Sequence, residues 1–208
     1  PDSANQFFNQ ALKIAEEASF SKDIARTNRR IGYSYFYKKD FDSSLYYLNK
    51  SIQLAEKIDD YTNLASSYQQ IAIINYINND FDKAIKNNQT TIEYFLKNND
   101  SSTLANSMYM IGVCYYQMGD YPKSLEAYQN ALYIAEAVKD SVSQGNILNN
   151  IGNIQDGLLN YSLALQYFQQ SLNIRISLKD NPKANSTREN MATVYSKTEE
   201  YERALEQY

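Results

Sequence analysis

An all-α solenoid of antiparallel helix pairs is the fold class this sequence predicts, and three observations predict it. Asp40-Phe41, Asp80-Phe81, Asp120-Tyr121, Asn160-Tyr161 and Glu200-Tyr201 recur at a fixed step of 40 residues. Periods of roughly 20–50 residues mark repeat architectures. Within each period the apolar residues follow helical spacing, as in Leu104, Met108, Ile111 and Tyr115, then Leu125, Tyr128, Leu132 and Ala135. Finally, 6 Gly and 3 Pro in 208 residues leave little material for the turns of a strand-rich sandwich.

Other columns keep the same step and place the elements. Ile31, Ile71, Ile111, Ile151 and Met191 each precede a small residue: Gly32, Ala72, Gly112, Gly152 and Ala192. Ser44, Ala84, Ser124, Ala164 and Ala204 each precede a branched aliphatic. Each unit therefore reads as a helix A near 23–38 and a helix B near 41–58, with images at each further step of 40. Asp or Asn ahead of the aromatic can cap helix B, Pro122 fits its first turn, and Asp60, Asp100, Asp140 and Asp180 fall in the loops after it. The small residues let the backbones of A and B approach closely. The expected organisation is a single solenoid domain over 1–208: a half repeat at 3–20, repeats at 23–60, 63–100, 103–140 and 143–180, and a partial repeat at 182–208. A helix cut at Tyr208 would expose an apolar face, so the natural protein is expected to continue beyond it.

Composition narrows the chemistry. The chain is 43% hydrophobic and 21% charged, as in folded globular proteins. Lys+Arg 20 against Asp+Glu 24 gives a net charge of -4, so no overall positive field collects phosphate backbones, and direct nucleic-acid binding is not expected. With His 0, this chain alone offers no Ser-His-Asp triad, no Cys-His dyad and few zinc ligands. Cys114 has no partner for an internal disulfide, and it falls inside helix A of the third repeat, as a buried inert thiol would. Paired acids such as Glu16-Glu17 and Asp59-Asp60 are sequence neighbours, which do not face each other on a helix. No phosphate-binding glycine loop and no Cys-x-x-Cys pair occurs, so neither enzyme chemistry, metal nor cofactor is expected. The uncharged runs 61–79 and 101–119 carry Asn, Gln, Ser, Thr and Tyr throughout, so membrane insertion is not expected either. The compartment, cytoplasmic or periplasmic, stays open.

These residues resemble the tetratricopeptide repeats. Ile111-Gly112, Tyr115, Ser124, Tyr128 and Ala131 match that family's pattern in order, and Ile31-Gly32, Tyr35, Ser44, Leu48 and Ser51 nearly do. The period of 40 exceeds the family's usual length of about 34. Glu56, Leu96, Glu136 and Ile176 stand where the family's helix-ending Pro would be. That resembles the long-repeat subgroup of kinesin light chains, peptide-pheromone receptors and the sensor regions of bacterial histidine kinases and regulators. The resemblance implies a right-handed α-α superhelix whose concave wall is built from A helices.

Mapped residue by residue, the groove positions implied are Arg26, Arg29, Tyr33, Phe36 and Tyr37 in repeat one, then Ser66, Gln69, Ile73, Tyr76 and Ile77. Repeat three supplies Asn106, Tyr109, Val113, Tyr116 and Gln117, and repeat four Asn146, Asn149, Asn153, Asp156 and Gly157. The wall would run from cationic through aromatic to amide-rich. Asn can donate to and accept from a peptide backbone, and Tyr brings apolar area with a polar tip. An extended peptide with an acidic end near Arg26 and Arg29, held along Asn146, Asn149 and Asn153, is the ligand this implies. Two plainer readings compete: the Tyr stripe can be packing between A helices, and an AT-rich coding sequence also enriches Asn and Tyr. The family's dicarboxylate clamp is not reproduced, because Tyr33 and Met110 occupy its expected Asn and basic positions. The function expected is thus a non-catalytic module binding protein or peptide, the sensing part of a larger bacterial signalling protein. A scaffold that forms a homodimer or a multiprotein assembly is the alternative.

Overall fold

The computed structural model describes residues 20–97 and 103–207 throughout, with Phe7, Phe8, Gln10 and Lys13–Ala15 of the segment before them. Most of the half repeat expected at 3–20 and Asp100 lie outside the described residues. The helices are α1 (Ser21–Tyr37), α2 (Phe41–Lys57), α3 (Tyr61–Ile77), α4 (Phe81–Lys97) and α5 (Leu104–Gln117). They continue as α6 (Tyr121–Ala137), α7 (Ser141–Gly157), α8 (Tyr161–Ser177), α9 (Asn181–Lys197) and α10 (Tyr201–Leu205). Among the described residues there is no strand. No helix of the described residues is long and apolar enough to cross a membrane.

One turn construction generates the period. Helix α1 ends with Lys39 in the left-handed region at φ 61. The Lys39 N–H donates to the Phe36 carbonyl at 2.9 Å and the Asp40 N–H reaches back to the Tyr35 carbonyl at 3.1 Å, a Schellman closure. Asp40 then caps α2 at once by accepting from the Ser43 N–H at 3.1 Å. Two 17-residue helices, each followed by a three-residue turn of this kind, make the repeat of 40. The same left-handed residue recurs at Asp59, Asn79, Gly119, Lys139, Leu159, Lys179 and Glu199, and only Gly119 is free of the Cβ penalty there.

The loop aspartates have a role that the sequence reading did not assign. Asp60, Asp140 and Asp180 are the N-caps of α3, α7 and α9, accepting from Asn63, Ser143 and Lys183 N–H groups. Both turns of a repeat are therefore the same device. Pro122 and Pro182 sit in the first turns of α6 and α9, where a missing N–H costs no helix bond.

The chain divides after Cys114 into two compact units. In the first, α1 to α4 pack consecutively and α1 also touches α3. Its core joins Ala25, Leu48, Ile52, Ala55, Leu64, Ile71 and Ile74, flanked by partly buried Phe36, Phe41, Tyr68 and Tyr94. In the second, α6 to α10 pack consecutively and α8 contributes Ala164, Phe168 and Leu172 to a core shared with Ala184, Met191 and Val194 of α9.

Close approach of A to B is specified by glycine in both units. A Cβ on Gly32 would lie 2.9 Å from Leu48 Cγ, and one on Gly152 would lie 2.6 Å from the Phe168 ring. Ser44 Oγ donates to the Gly32 carbonyl at 2.8 Å, so the small residue facing the glycine is a hydrogen-bonding one as well. Where Asn88 takes the place of Leu48, the paired position is Ala72 rather than glycine.

Candidate functional site

The A-helix positions of the first unit gather around Arg29. Its Nε donates to Asn63 Oδ1 on α3 at 2.7 Å, and its Cζ lies 5.8 Å from the centre of the Tyr33 ring. Arg29 is half-buried, and burial lowers its pKa first, with the neighbouring charges of Arg30 and Arg26 lowering it further and Tyr33 opposing them. Tyr33, also half-buried, has its phenol pushed above the ordinary value by burial, against the pull of Arg29. Arg26 is exposed and lies 3.8 Å from Asp23, a surface contact of small energetic consequence.

The tyrosines divide by their neighbours. Tyr37 is 78% exposed, touching Phe36 edge-on at 5.6 Å. Tyr76 lies tilted against Phe81 at 5.8 Å and Tyr116 against Tyr121 at 5.8 Å, repeating the Phe36–Phe41 pair at 5.9 Å. These rings close the A-to-B turn as well as presenting an edge to solvent. Gln69 and Tyr109 are half-buried on α3 and α5. In repeat four the corresponding position is Asp156, which takes an ion pair from Lys197 at 2.6 Å instead.

In the second unit the amides meet a residue that the sequence reading missed. Arg175, on α8, is 7% exposed. Its Nη1 donates to the Lys183 carbonyl at 2.8 Å, to Asn149 Oδ1 at 3.4 Å and to Thr187 Oγ1, and its Nη2 reaches Asn146 Oδ1 at 3.4 Å. Asn149 Oδ1 also accepts from Thr187 Oγ1 at 3.1 Å and from Asn190 at 3.3 Å. Asn149 is 8% exposed, so its oxygen serves this internal network. Asn146 and Asn153 stay half-buried on the same helix. The missed signal was readable. In the column Ala15, Ala55, Phe95, Ala135, Arg175 the arginine is the lone charged member.

Cys114 is fully buried, and burial pushes its thiol up to about 11, which suits the inert reading. Among the described residues, no group of three or more His, Cys, Asp or Glu is placed to hold a metal ion.

These helix pairs and this period fit one family. The family model described as Tetratricopeptide repeat matches residues 23–97 and 103–177. The chain belongs to the tetratricopeptide repeat family, with a 40-residue repeat. No curated protein matches it. Among solved structures, BtubC from P. vanneervenii superposes with a TM-score of 0.86 at 15% identity, over 99% of this chain and 85% of that one. A signal transduction ATPase with numerous domains from Pyrococcus horikoshii, carrying a tetratricopeptide repeat sensor, gives 0.82 at 20% identity over 99% of this chain and 33% of that one. A plasmid Rap conjugation gene regulator solved in complex with a peptide gives 0.69 at 20% identity, over 93% and 54%. At these identities the likeness shows the fold, and the chain spans only a third to a half of the latter two.

Proposed function

We propose that this chain is a non-catalytic module that binds protein or an extended peptide through its A helices, as the sensing region of a larger bacterial signalling protein. One observation carries the reading. A-helix polar and aromatic side chains, among them Arg29, Tyr33, Gln69 and Asn153, stand half-exposed on helices whose opposite faces are held in the core by buried residues such as Ile31, Ile71 and Ile151. Helix-pair repeats use such faces for recognition. Two structures of the same fold, one described as a sensor and one holding a peptide, support the choice of ligand class.

The test is selection of a random peptide display library against the whole chain, followed by titration of the selected peptides. Tyr76→Ala and Tyr116→Ala should each weaken a selected peptide by more than about 1 kcal/mol where that ring is an anchor. A library that yields no saturable binder overturns the reading. So does a stable dimer, seen by light scattering, whose formation and peptide binding exclude one another, which would favour the scaffold.

A further inference from the structure

Arg175 of α8 is buried, and a guanidinium offers donors and no acceptor. Every group that faces it must therefore present an acceptor. The Lys183 carbonyl does so at no loss, but for Asn146 and Asn149 the contact decides which end of the amide turns inward. Nη2 takes Asn146 Oδ1 and Nη1 takes Asn149 Oδ1, each at 3.4 Å. Thr187 Oγ1 and the Asn190 amide nitrogen also donate to the Asn149 oxygen, at 3.1 and 3.3 Å. Turning either amide over would set its nitrogen against the guanidinium, donor to donor.

The consequence reaches the groove side of α7. A free asparagine side chain both donates and accepts, but these two amides have committed their oxygens inward and keep only nitrogens for a ligand. The cation behind them strengthens the offer, because in a low-dielectric interior a charge bonded to an amide oxygen polarises the N–H groups of the same amide. Earlier repeats lack the device, since Ala15, Ala55, Phe95 and Ala135 hold the column of Arg175.

We infer that Arg175 is a positioning residue that makes this stretch of the A-helix wall donor-only, and that the segment it selects is proline-rich. An ordinary extended peptide brings an N–H as well as a carbonyl with each residue, and an N–H set against these amides loses its water and gains no acceptor. Proline has no N–H, and a polyproline II segment keeps its carbonyls free for donors outside it. The inference rests on the peptide-binding reading and narrows it to a ligand class.

The experiment follows the side-chain NH2 signals of Asn146, Asn149 and Asn153 by NMR in the full chain. Acetyl-tetraproline amide, acetyl-tetrasarcosine amide and acetyl-tetraglycine amide are each titrated up to about 10 mM, where a site of millimolar Kd fills. Sarcosine is glycine with its N–H methylated, so the last two probes differ in the backbone donors, and tetraproline adds the preset shape. Tetraproline and tetrasarcosine should both shift the signals saturably and bind at least about tenfold tighter than tetraglycine. That ratio is the readout a merely structural role would not move. Arg175→Lys, still a donor without an acceptor, should preserve it, while Arg175→Gln, which also offers an acceptor and lets the amides turn, should bring it within about twofold. Asn146→Asp keeps a partner for Arg175 at a half-buried position but shows the ligand acceptors only, so it should reverse the preference towards tetraglycine whether or not the glutamine variant folds. Absence of saturable shifts, equal binding of tetraglycine, or a ratio indifferent to Asn146→Asp overturns the donor-only wall. Peptides selected from the display library without proline, joined to equal binding of the three probes, would remove this inference and leave the peptide-module reading standing. A library without a binder, beside probes that keep the expected ratio, would do the reverse.

Discussion

The two units each hold an arginine against an asparagine of a different helix, and they use it oppositely. Arg29 of the first unit is anchored on an A helix, half-buried, and lines an open cleft. Arg175 of the second is anchored on a B helix, 7% exposed, and its two Nη groups are engaged by Asn146, Asn149, Thr187 and the Lys183 carbonyl. The lesson lies in where the stem starts. From helix B a guanidinium must cross the interior to reach the A helices, and it becomes part of the core. From helix A the same group stays at the surface with its charge available.

The largest effect should come from breaking the sealed arginine. Arg175→Ala strands buried acceptors on α7 and α9, and it should destabilise the second unit by about 3 kcal/mol. Arg29→Ala strands one acceptor, Asn63 Oδ1, beside a half-exposed site that water can enter, and it should cost the first unit less, about 1 kcal/mol. Hydrogen exchange reads each unit separately: amides of α7 to α9 should lose protection in the first variant, and those of α1 and α3 should lose less in the second. Equal losses would dissolve the contrast.

Next come the glycines. Gly152→Ala drives a Cβ to 2.6 Å from the rigid Phe168 ring, and it should cost about 2 kcal/mol. Gly32→Ala meets Leu48 Cγ at 2.9 Å, the branch point of an aliphatic chain that can rotate, and it should cost about half as much. Thermal unfolding of the two variants gives the order. A reversed order would show that the Ser44 carbonyl, 3.2 Å from the new atom, is the stiffer obstacle.

How much of this the sequence disclosed follows from what columns at a step of 40 can and cannot carry. Helix pairs were legible because Ile31, Gly32, Ser44 and Phe41 recur in register, and backbone packing leaves such marks in every copy. The Asp60, Asp140 and Asp180 caps were in plain view, yet they read as loop residues, because the period hides that A and B turns are one device. The aromatic pair five residues apart across the turn, Tyr76 with Phe81 and Tyr116 with Tyr121, was visible as two separate columns and not as a contact. Arg175 was detectable as a charge in an apolar column. Asn63 was not. Its column, Asp23, Asn63, Thr103, Ser143, Lys183, is polar throughout, and only coordinates reveal that one member is buried with an amide nitrogen unmet.

The capping aspartates give a smaller, pH-dependent effect. Burial raises the Asp140 carboxyl, but the Ser143 hydroxyl and backbone N–H outweigh it and hold the group below its ordinary 3.8. A depressed carboxyl adds stability above the unfolded value and loses it as pH falls through the native one. Asp140→Ala should therefore cost about 1 kcal/mol at pH 7, the usual worth of an N-cap. Measured by urea denaturation, the gap from wild type should narrow as pH drops below 4. A constant gap would assign the cap's value to shape and not to charge.

The smallest effect should be Gly145→Ala, and it probes the sealed arginine from behind. A Cβ there would sit 3.5 Å from Arg175 Cγ and from Ile174 Cγ2, ordinary contact distances, in a helix where alanine outranks glycine by roughly 1 kcal/mol. The expected outcome is neutral to about 0.5 kcal/mol more stable, well below full propensity because the stem of Arg175 must keep its line to Asn149. Columns agree with tolerance, since Ala25, Ala65 and Ala105 hold the same position in the earlier repeats. If Gly145→Ala instead destabilises by more than about 1 kcal/mol, the arginine is wedged and not merely enclosed. The second unit would then depend on a backbone made small for one side chain, as it does at Gly152 for Phe168.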